Sequence, residues 1–264
     1  MNPEKIENMT EIAKRLDGKV CVIAGSASVI GQAVAQRLAH EGGTVIGIDR
    51  ESHAVGSINI QADLSVESEV VEAFARIHRE AGRIDVLYNN AGLISADDKS
   101  ALDTGTDTLD RIFAANFRTT WLCCKHGIAH MLKSERVNGS VINASSFLAG
   151  MGAASAQMAY NAAKAAVAQL SRDLGTQFAR QGIRVNALAL GPIATPRLDA
   201  DFARIGEDER NRRFQHMPLG RFGTLEELAG TIAYLASDDA GYITASVFPL
   251  DGGIQGAFTV PANR

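Results

Sequence analysis

The sequence predicts an α/β fold: one doubly wound parallel sheet with helices on both faces. Three observations carry that expectation. Short β-branched runs alternate along the chain with longer stretches whose apolar residues recur every three or four positions. The short runs are apolar throughout, as in strands buried on both faces. No Pro/Ser-rich linker, charge block or internal repeat divides the 264 residues, so a single domain is expected.

Taken in order, strands are expected at 20–24, 44–48, 84–88, 140–143, 183–188 and 246–250, and helices at about 29–41, 67–81, 106–133, 159–180 and 224–236. Strand alternating with helix implies parallel strands joined by crossovers. Residues 1–18 are read as a short, poorly ordered N-terminal extension to a domain spanning 19–264. Segment 193–220 is polar, carries Pro196 and Pro218, and follows a strand's carboxyl end. Open α/β sheets bind ligands there, so a flap over a substrate site is expected.

Composition narrows the function class. With 26 basic against 30 acidic residues, the net charge of −4 provides no surface for nucleic acid or anionic membrane. The first 19 residues lack an apolar signal core, and no window approaches about 18 uninterrupted apolar residues, so a cytoplasmic protein is expected. Cys21, Cys123 and Cys124 match neither a disulfide framework nor a metal spacing. His40, His53, His78, His126 and His130 show no ligand spacing either, so no metal is expected. Glycine is plentiful, 25 residues in 264, which makes its placement informative.

Directly after the first expected strand comes Gly25-Ser26-Ala27-Ser28-Val29-Ile30-Gly31, leading into a helix. Glycine permits the sharp turn, and a helix N-terminus presents free N–H groups and a positive dipole end to a pyrophosphate. Asp49 closes the second strand. A carboxylate there accepts hydrogen bonds from both adenosine ribose hydroxyls and repels a 2′-phosphate, which favours NAD over NADP. Its neighbour Arg50 argues the other way, because a guanidinium can bind a 2′-phosphate.

A second constellation opens the helix at 159–180. In Tyr160-Asn161-Ala162-Ala163-Lys164 the i, i+4 spacing puts phenol and ammonium on one face. A held cation favours phenolate, making a phenol of ordinary pKa ~10 a usable base nearer neutrality. Upstream lie Asn89-Asn90-Ala91-Gly92, Asn116 and Ser145-Ser146, which converge with Tyr160 at the carboxyl ends of the strands.

With Arg184-Val185-Asn186, Gly191-Pro192 plus Thr195, and Asp251-Gly252-Gly253, these motifs resemble the short-chain dehydrogenase/reductase family, of ketoacyl-carrier-protein-reductase-like type. The resemblance runs from about Lys19 to Gly253. It implies a Rossmann-like fold and nicotinamide-dependent interconversion of a secondary alcohol and a ketone by hydride transfer. It implies that Tyr160 is the acid/base, that Lys164 contacts the nicotinamide ribose and lowers the tyrosine pKa, that Ser146 bonds the substrate oxygen, and that Asn116 holds a water in a proton relay. The implied cofactor contacts are Gly25, Ser28, Ile30 and Gly31 in the turn, Asp49 at the ribose, and Asp63 with Leu64 at the adenine. Asn90, Ala91 and Gly92 follow beside the adenosine ribose, Pro192, Ile193 and Thr195 at the carboxamide, and Tyr160 and Lys164 complete the set. Relatives also imply a homotetramer packed through the 106–133 and 159–180 helices and the last strand.

The departures are specific. Ala24 and Val29 stand where the family turn has Thr and its middle Gly, so Val29 puts a branched side chain where backbone approaches the cofactor. Leu190-Gly191 replaces Pro-Gly, and Thr244-Ala245 replaces Thr-Gly. One inserted residue leaves Ser145 and Ser146 as alternatives, with Ser146 favoured by the Phe147-Leu148-Ala149 that follows it. Substrate walls, or ordinary core, are expected from Leu93, Ser95, Phe147, Leu148, Gln157, Met158, Pro192, Leu198 and Phe202. Arg212, Arg213 and His216 are either contacts for a substrate anion or a solvated helix face. Two alternatives stand beside the NAD-dependent dehydrogenase: a nucleotide-sensing protein without turnover, motivated by Val29, and an NADP-dependent ketone reductase. Epimerisation or dehydration fits less well, because such relatives carry a larger substrate subdomain.

Overall fold

The computed structural model describes residues 14–135, 137–152 and 157–257, with backbone alone at 209 and 210. Seven strands, β1 (Val20–Ala24), β2 (Thr44–Asp49), β3 (Ile58–Gln61), β4 (Val86–Asn89), β5 (Gly139–Ser146), β6 (Ile183–Leu190) and β7 (Val247–Leu250), form one sheet in the order β3-β2-β1-β4-β5-β6-β7. Every pairing is parallel. The helices are α1 (Val29–His40), α2 (Glu67–Ala81), α3 (Thr106–Phe113), α4 (Thr119–Met131), α5 (Met158–Phe178), α6 (Pro196–Arg204), α7 (Glu207–Phe214) and α8 (Leu225–Ala236).

Side-chain alternation along β1 explains why its sequence is apolar without a period of two. Val20, Val22 and Ala24 join a core with Phe74 and Ile77 of α2 and Leu122 and Ile128 of α4. Cys21 and Ile23 face the opposite core, against Val34 and Leu38 of α1 and Leu228 and Ile232 of α8. The chain runs outward from β1 to β3, then crosses back to β4 on the other side of β1. That reversal opens a crevice at the carboxyl ends of β1 and β4, where doubly wound sheets bind ligands.

Several expectations are corrected. β3 escaped the sequence pattern because it is a four-residue edge strand that carries Asn59 and Gln61 among its apolar residues. The 106–133 helix is interrupted by a π-turn at Ala114–Arg118. Segment 193–220 contains α6 and α7, and its signals were present: Thr195 caps α6 through Leu198 N–H, with Pro196 in the first turn. Phe202, Phe214 and Phe222 close these helices on an aromatic cluster, with ring centroids 4.7 to 5.9 Å apart.

The expected N-terminal extension does not detach at residue 18. Residues 1–13 lie outside the described residues, but Leu16 is fully buried in the α1/α8 core. Arg15 makes two hydrogen bonds of 2.7 Å to the buried Glu41 carboxylate, and Arg37 adds one of 2.6 Å. Burial alone would raise the Glu41 carboxyl, yet the two guanidinium groups hold it below the usual carboxylate range. The Arg184-Val185-Asn186 motif is also architectural. Arg184 donates to the Leu235 and Ser237 carbonyls at the end of α8, while Asn186 bonds Ile243 and Ser246 backbone, seating the approach to β7. No helix among the described residues is long and apolar enough to cross a membrane.

Candidate active site

The turn after β1 is shaped by close approach. At Gly25, φ is +89°, and a Cβ there would sit 2.5 Å from the Ala91 nitrogen; at Gly31 it would sit 2.5 Å from the Gly25 carbonyl oxygen. Ser28 caps α1, its Oγ accepting from Gly31 N–H at 3.0 Å and from Asn90 Nδ2 at 2.8 Å. Asn90 also donates to the Gly25 carbonyl and accepts from the buried Tyr88 hydroxyl, while Asn90 and Ala91 N–H groups both bond the Ala24 carbonyl. The turn is therefore fastened from β4. Val29 is the first residue of α1 and 44% exposed, so it leaves the cap intact and projects outward. Ile30 packs against the α1/α8 core.

The acidic residues of this half lie along its rim. Asp49 accepts from Ala27 N–H at 2.9 Å and from Glu51 N–H at 3.0 Å, which holds its carboxylate beside the turn. Two hydrogen bonds from Ser65 hold Asp63 below the usual carboxylate range, and the nearby Arg50 adds to this. Leu64 is buried in the α2/α4 core, leaving only its backbone for a ligand. Sequence reasoning missed His53, whose Nε2 pairs with the buried Ser26 hydroxyl at 2.8 Å. Close-packed glycines, a capped helix N-terminus and a carboxylate at the rim together fit a dinucleotide.

The second half of the site forms where β5 ends and α5 begins. Ser146, the last residue of β5, faces the Tyr160 phenol and favours its phenolate, and its Oγ accepts from Leu148 N–H at 3.2 Å. Ser145 points elsewhere, donating to the Lys164 carbonyl at 2.8 Å, so of the two serines Ser146 reaches the tyrosine and Ser145 braces α5. Lys164 is buried, donates to the Ala144 carbonyl at 2.8 Å, and lies 5.7 Å from the Tyr160 ring centroid. Its tight seat is why residue 92 is glycine: a Cβ there would lie 2.7 Å from Asn116 Oδ1 and 3.3 Å from Lys164 Nζ. Asn116 sits in the π-turn, donating to the Leu93 and Ile112 carbonyls and accepting from Leu93 N–H.

Electrostatics here differ from the simple expectation of a cation lowering a phenol. Burial pushes Tyr160 up to about 12, against the lowering effects of the Ser146 hydrogen bond and of Arg197. Burial also brings Lys164 down to about 8. Desolvation is the largest effect at both groups, the buried lysine and the half-buried tyrosine alike.

Two residues that sequence reasoning did not single out complete the arrangement. Asp98 is 1% exposed, and its carboxylate accepts from Ala159 N–H at 3.1 Å and Tyr160 N–H at 2.8 Å. It caps α5 from a distant loop, since Gln157 provides no side-chain cap. Asp98→Ala is expected to destabilise the fold by about 1–3 kcal/mol and to lower kcat, because it strips bonds from the backbone that aims Tyr160. Thermal melts run beside initial rates check both effects. The second is Arg197, whose Nη2 donates to the Ile94 carbonyl at 3.2 Å.

Pro192, Ile193 and Thr195 follow β6 and are tied to the far end of the flap. Gly223 N–H bonds the Pro192 carbonyl, and Ala194 N–H bonds the Gly223 carbonyl. Phe202 belongs to the aromatic core of the flap, and Arg213 lies over its ring at 5.6 Å. A cavity of about 510 Å³ beside α8 and β7 is lined by Ile193, Tyr234, Phe248 and Leu250 among others, and none of Asn116, Ser146, Tyr160 and Lys164 lines it.

A parallel sheet with a dinucleotide-type turn at one end of the crevice and a Ser-Tyr-Lys cluster at the other defines a nicotinamide-dependent oxidoreductase. Residues 24–255 match the family model described as enoyl-(acyl carrier protein) reductase, and the chain belongs to the short-chain dehydrogenase/reductase family. It is 38% identical to the uncharacterized oxidoreductase YxbG of Bacillus subtilis (strain 168), over 94% of each chain. It is 34% identical to cis-4-hydroxycyclohexanecarboxylate dehydrogenase of Sinomonas cyclohexanicum, over 89% of this chain and 96% of that one. The crystal structure of levodione reductase matches with a TM-score of 0.85 at 30% identity, covering 92% of this chain and all of the other.

Proposed function

We propose that the protein is an NAD-dependent dehydrogenase/reductase that interconverts a small secondary alcohol and its ketone, with Tyr160 as acid/base. The observation that carries this reading is the meeting of Ser146, Tyr160 and Lys164 where β5 ends and α5 begins: the Ser146 hydroxyl favours the Tyr160 phenolate, and the buried Lys164 Nζ lies 5.7 Å from the Tyr160 ring centroid. The substrate oxygen sits between Ser146 and Tyr160. In oxidation the phenolate takes the hydroxyl proton; in reduction the phenol returns it. Lys164 holds the nicotinamide ribose, and Asn116, locked into the π-turn, holds the water that passes the proton outward. Nicotinamide, when bound, supplies the hydride acceptor. Ser146, Tyr160 and Lys164 would hold donor carbon and ring in position, and that positioning would be the larger part of the rate gain.

Two features support NAD. Asp49 is held facing the turn, and Arg50, which could have met a 2′-phosphate, has Asp63 nearby. Asp49→Ser is expected to reduce the preference for NAD over NADP by at least about tenfold in kcat/KM, since it removes the charge that repels the 2′-phosphate. Rates with both cofactors measure it.

Leu109 and Trp121 expose apolar surface on α3 and α4, and β7 is the edge strand; both features support a homotetramer built on those helices and that strand. The names of the relatives, which include a hydroxycyclohexanecarboxylate dehydrogenase and a levodione reductase, support a small-molecule substrate. Rates on secondary alcohols, dihydrodiols, sugars and hydroxysteroids with NAD and NADP test the reading. NADH binding without turnover of any of them would point instead to a nucleotide sensor.

A further inference from the structure

Among the described residues of the flap, Arg197 reaches the loop beside Tyr160. It is the second residue of α6, directly after Thr195 and Pro196, so a capped helix start carries it. Its guanidinium bonds the Ile94 carbonyl at 3.2 Å. Ile94 belongs to the loop whose Leu93 is held by Asn116 and whose Asp98 holds the backbone of Tyr160. Arg197 therefore bridges from the flap to the loop that frames the tyrosine. Its ion pair with Asp201 is loose, at 3.9 Å, and its side chain is 64% exposed, so much of its five-donor fork faces solvent. The guanidinium is also near enough to the Tyr160 phenol to favour phenolate.

We infer that Arg197 binds a carboxylate on the substrate, and that the substrate class is a secondary hydroxy acid with its corresponding keto acid. This inference rests on the oxidoreductase reading above. A guanidinium matches a carboxylate in shape, two N–H groups to two oxygens. The other arginine at this loop, Arg111, is engaged by Asp97 and Ser95 at 3.0 and 3.2 Å, so Arg197 meets a ligand as one guanidinium, which suits a single negative charge better than a phosphate dianion. The carboxylate is unchanged in the reaction: hydride leaves the carbinol carbon for NAD, the hydroxyl proton leaves for Tyr160, and the carbon–oxygen double bond forms. Reaction direction would then follow the supply of hydroxy acid or keto acid.

The test compares 2-, 3- and 4-hydroxy acids with their methyl esters, using wild type, Arg197→Met and Arg197→Lys. The wild type should favour at least one acid over its ester by about ten- to a hundredfold in kcat/KM, the range of one charge-assisted hydrogen bond. Arg197→Met should erase that preference, and Arg197→Lys should keep part of it. No acid preferred over its ester in the wild type, or a preference that survives in Arg197→Met, would overturn the inference. Calorimetry of the same acids against NAD-loaded Tyr160→Phe, with and without Arg197→Met, gives a readout free of turnover. Arg197-dependent binding without turnover of any alcohol would keep the carboxylate site and overturn the oxidoreductase reading. Turnover confined to esters and neutral alcohols would do the reverse.

Discussion

Tyr160→Phe is expected to reduce turnover by about 10²–10⁴-fold while cofactor binding persists. Only the hydroxyl is lost: the ring keeps its packing against Ile112, Ala159 and Ala163, so the fold and the turn at Gly25 are untouched. Quenching of Trp121, the single tryptophan, by added NADH reports binding beside the rate assay. Near-normal rates in this variant would remove Tyr160 from the chemistry. The wild type carries a pH signature as well. In the proposed reaction oxidation needs the phenolate, and burial lifts the phenol to about 12. The deprotonated fraction therefore grows about tenfold per pH unit, and oxidation rates should climb through the range from pH 7 to 10.

Lys164→Met should abolish turnover and stabilise the protein. In the folded state burial brings the ammonium from its usual 10.5 down to about 8. The folded pKa lies below the unfolded one, so below pH 8 the group is charged in both states and folding carries the full desolvation cost. At 1.36 kcal/mol per pKa unit that cost is about 3 kcal/mol. It shrinks between pH 8 and 10.5 and is absent above. Loss of the bond to the Ala144 carbonyl offsets about 1 kcal/mol, so a net gain of about 2 kcal/mol is expected at pH 7, closing towards pH 10.5. Denaturant melts of both proteins across that range check the sign. A Met variant less stable than wild type at pH 7 would show that the lysine supports the fold.

The layered fold was legible because its signals are local. The span of α2 follows from Glu67 and Glu69 in its first turn, the apolar spacing of Val70, Ala73, Phe74 and Ile77, and the left-handed Gly82 that ends it. The glycine turn after β1 and the Tyr160–Lys164 pair were legible for the same reason. What escaped depends on distant contacts. Asp98 looks like any loop acid until the fold sets it on the N-terminus of α5. Arg212, Arg213 and His216 drew notice through charge density, but it is Arg197, in the first turn of α6, that reaches the loop beside Tyr160. The choice between Ser145 and Ser146 likewise needed the register of β5, which sends neighbouring side chains to opposite faces.

The end of β4 ties the two halves of the site to one short piece of backbone. Asn90 clamps the glycine turn, and two positions on Gly92 makes room for Asn116 and Lys164. A shift at Ala91 would loosen the clamp on the glycine turn and crowd the lysine together. A change at this strand end would therefore move the glycine turn and the lysine together, whereas Asp49 on the outer rim and Arg197 on the flap are held by separate contacts. New specificities in this scaffold should accumulate at those two margins while the tetrapeptide Asn89-Asn90-Ala91-Gly92 stays fixed.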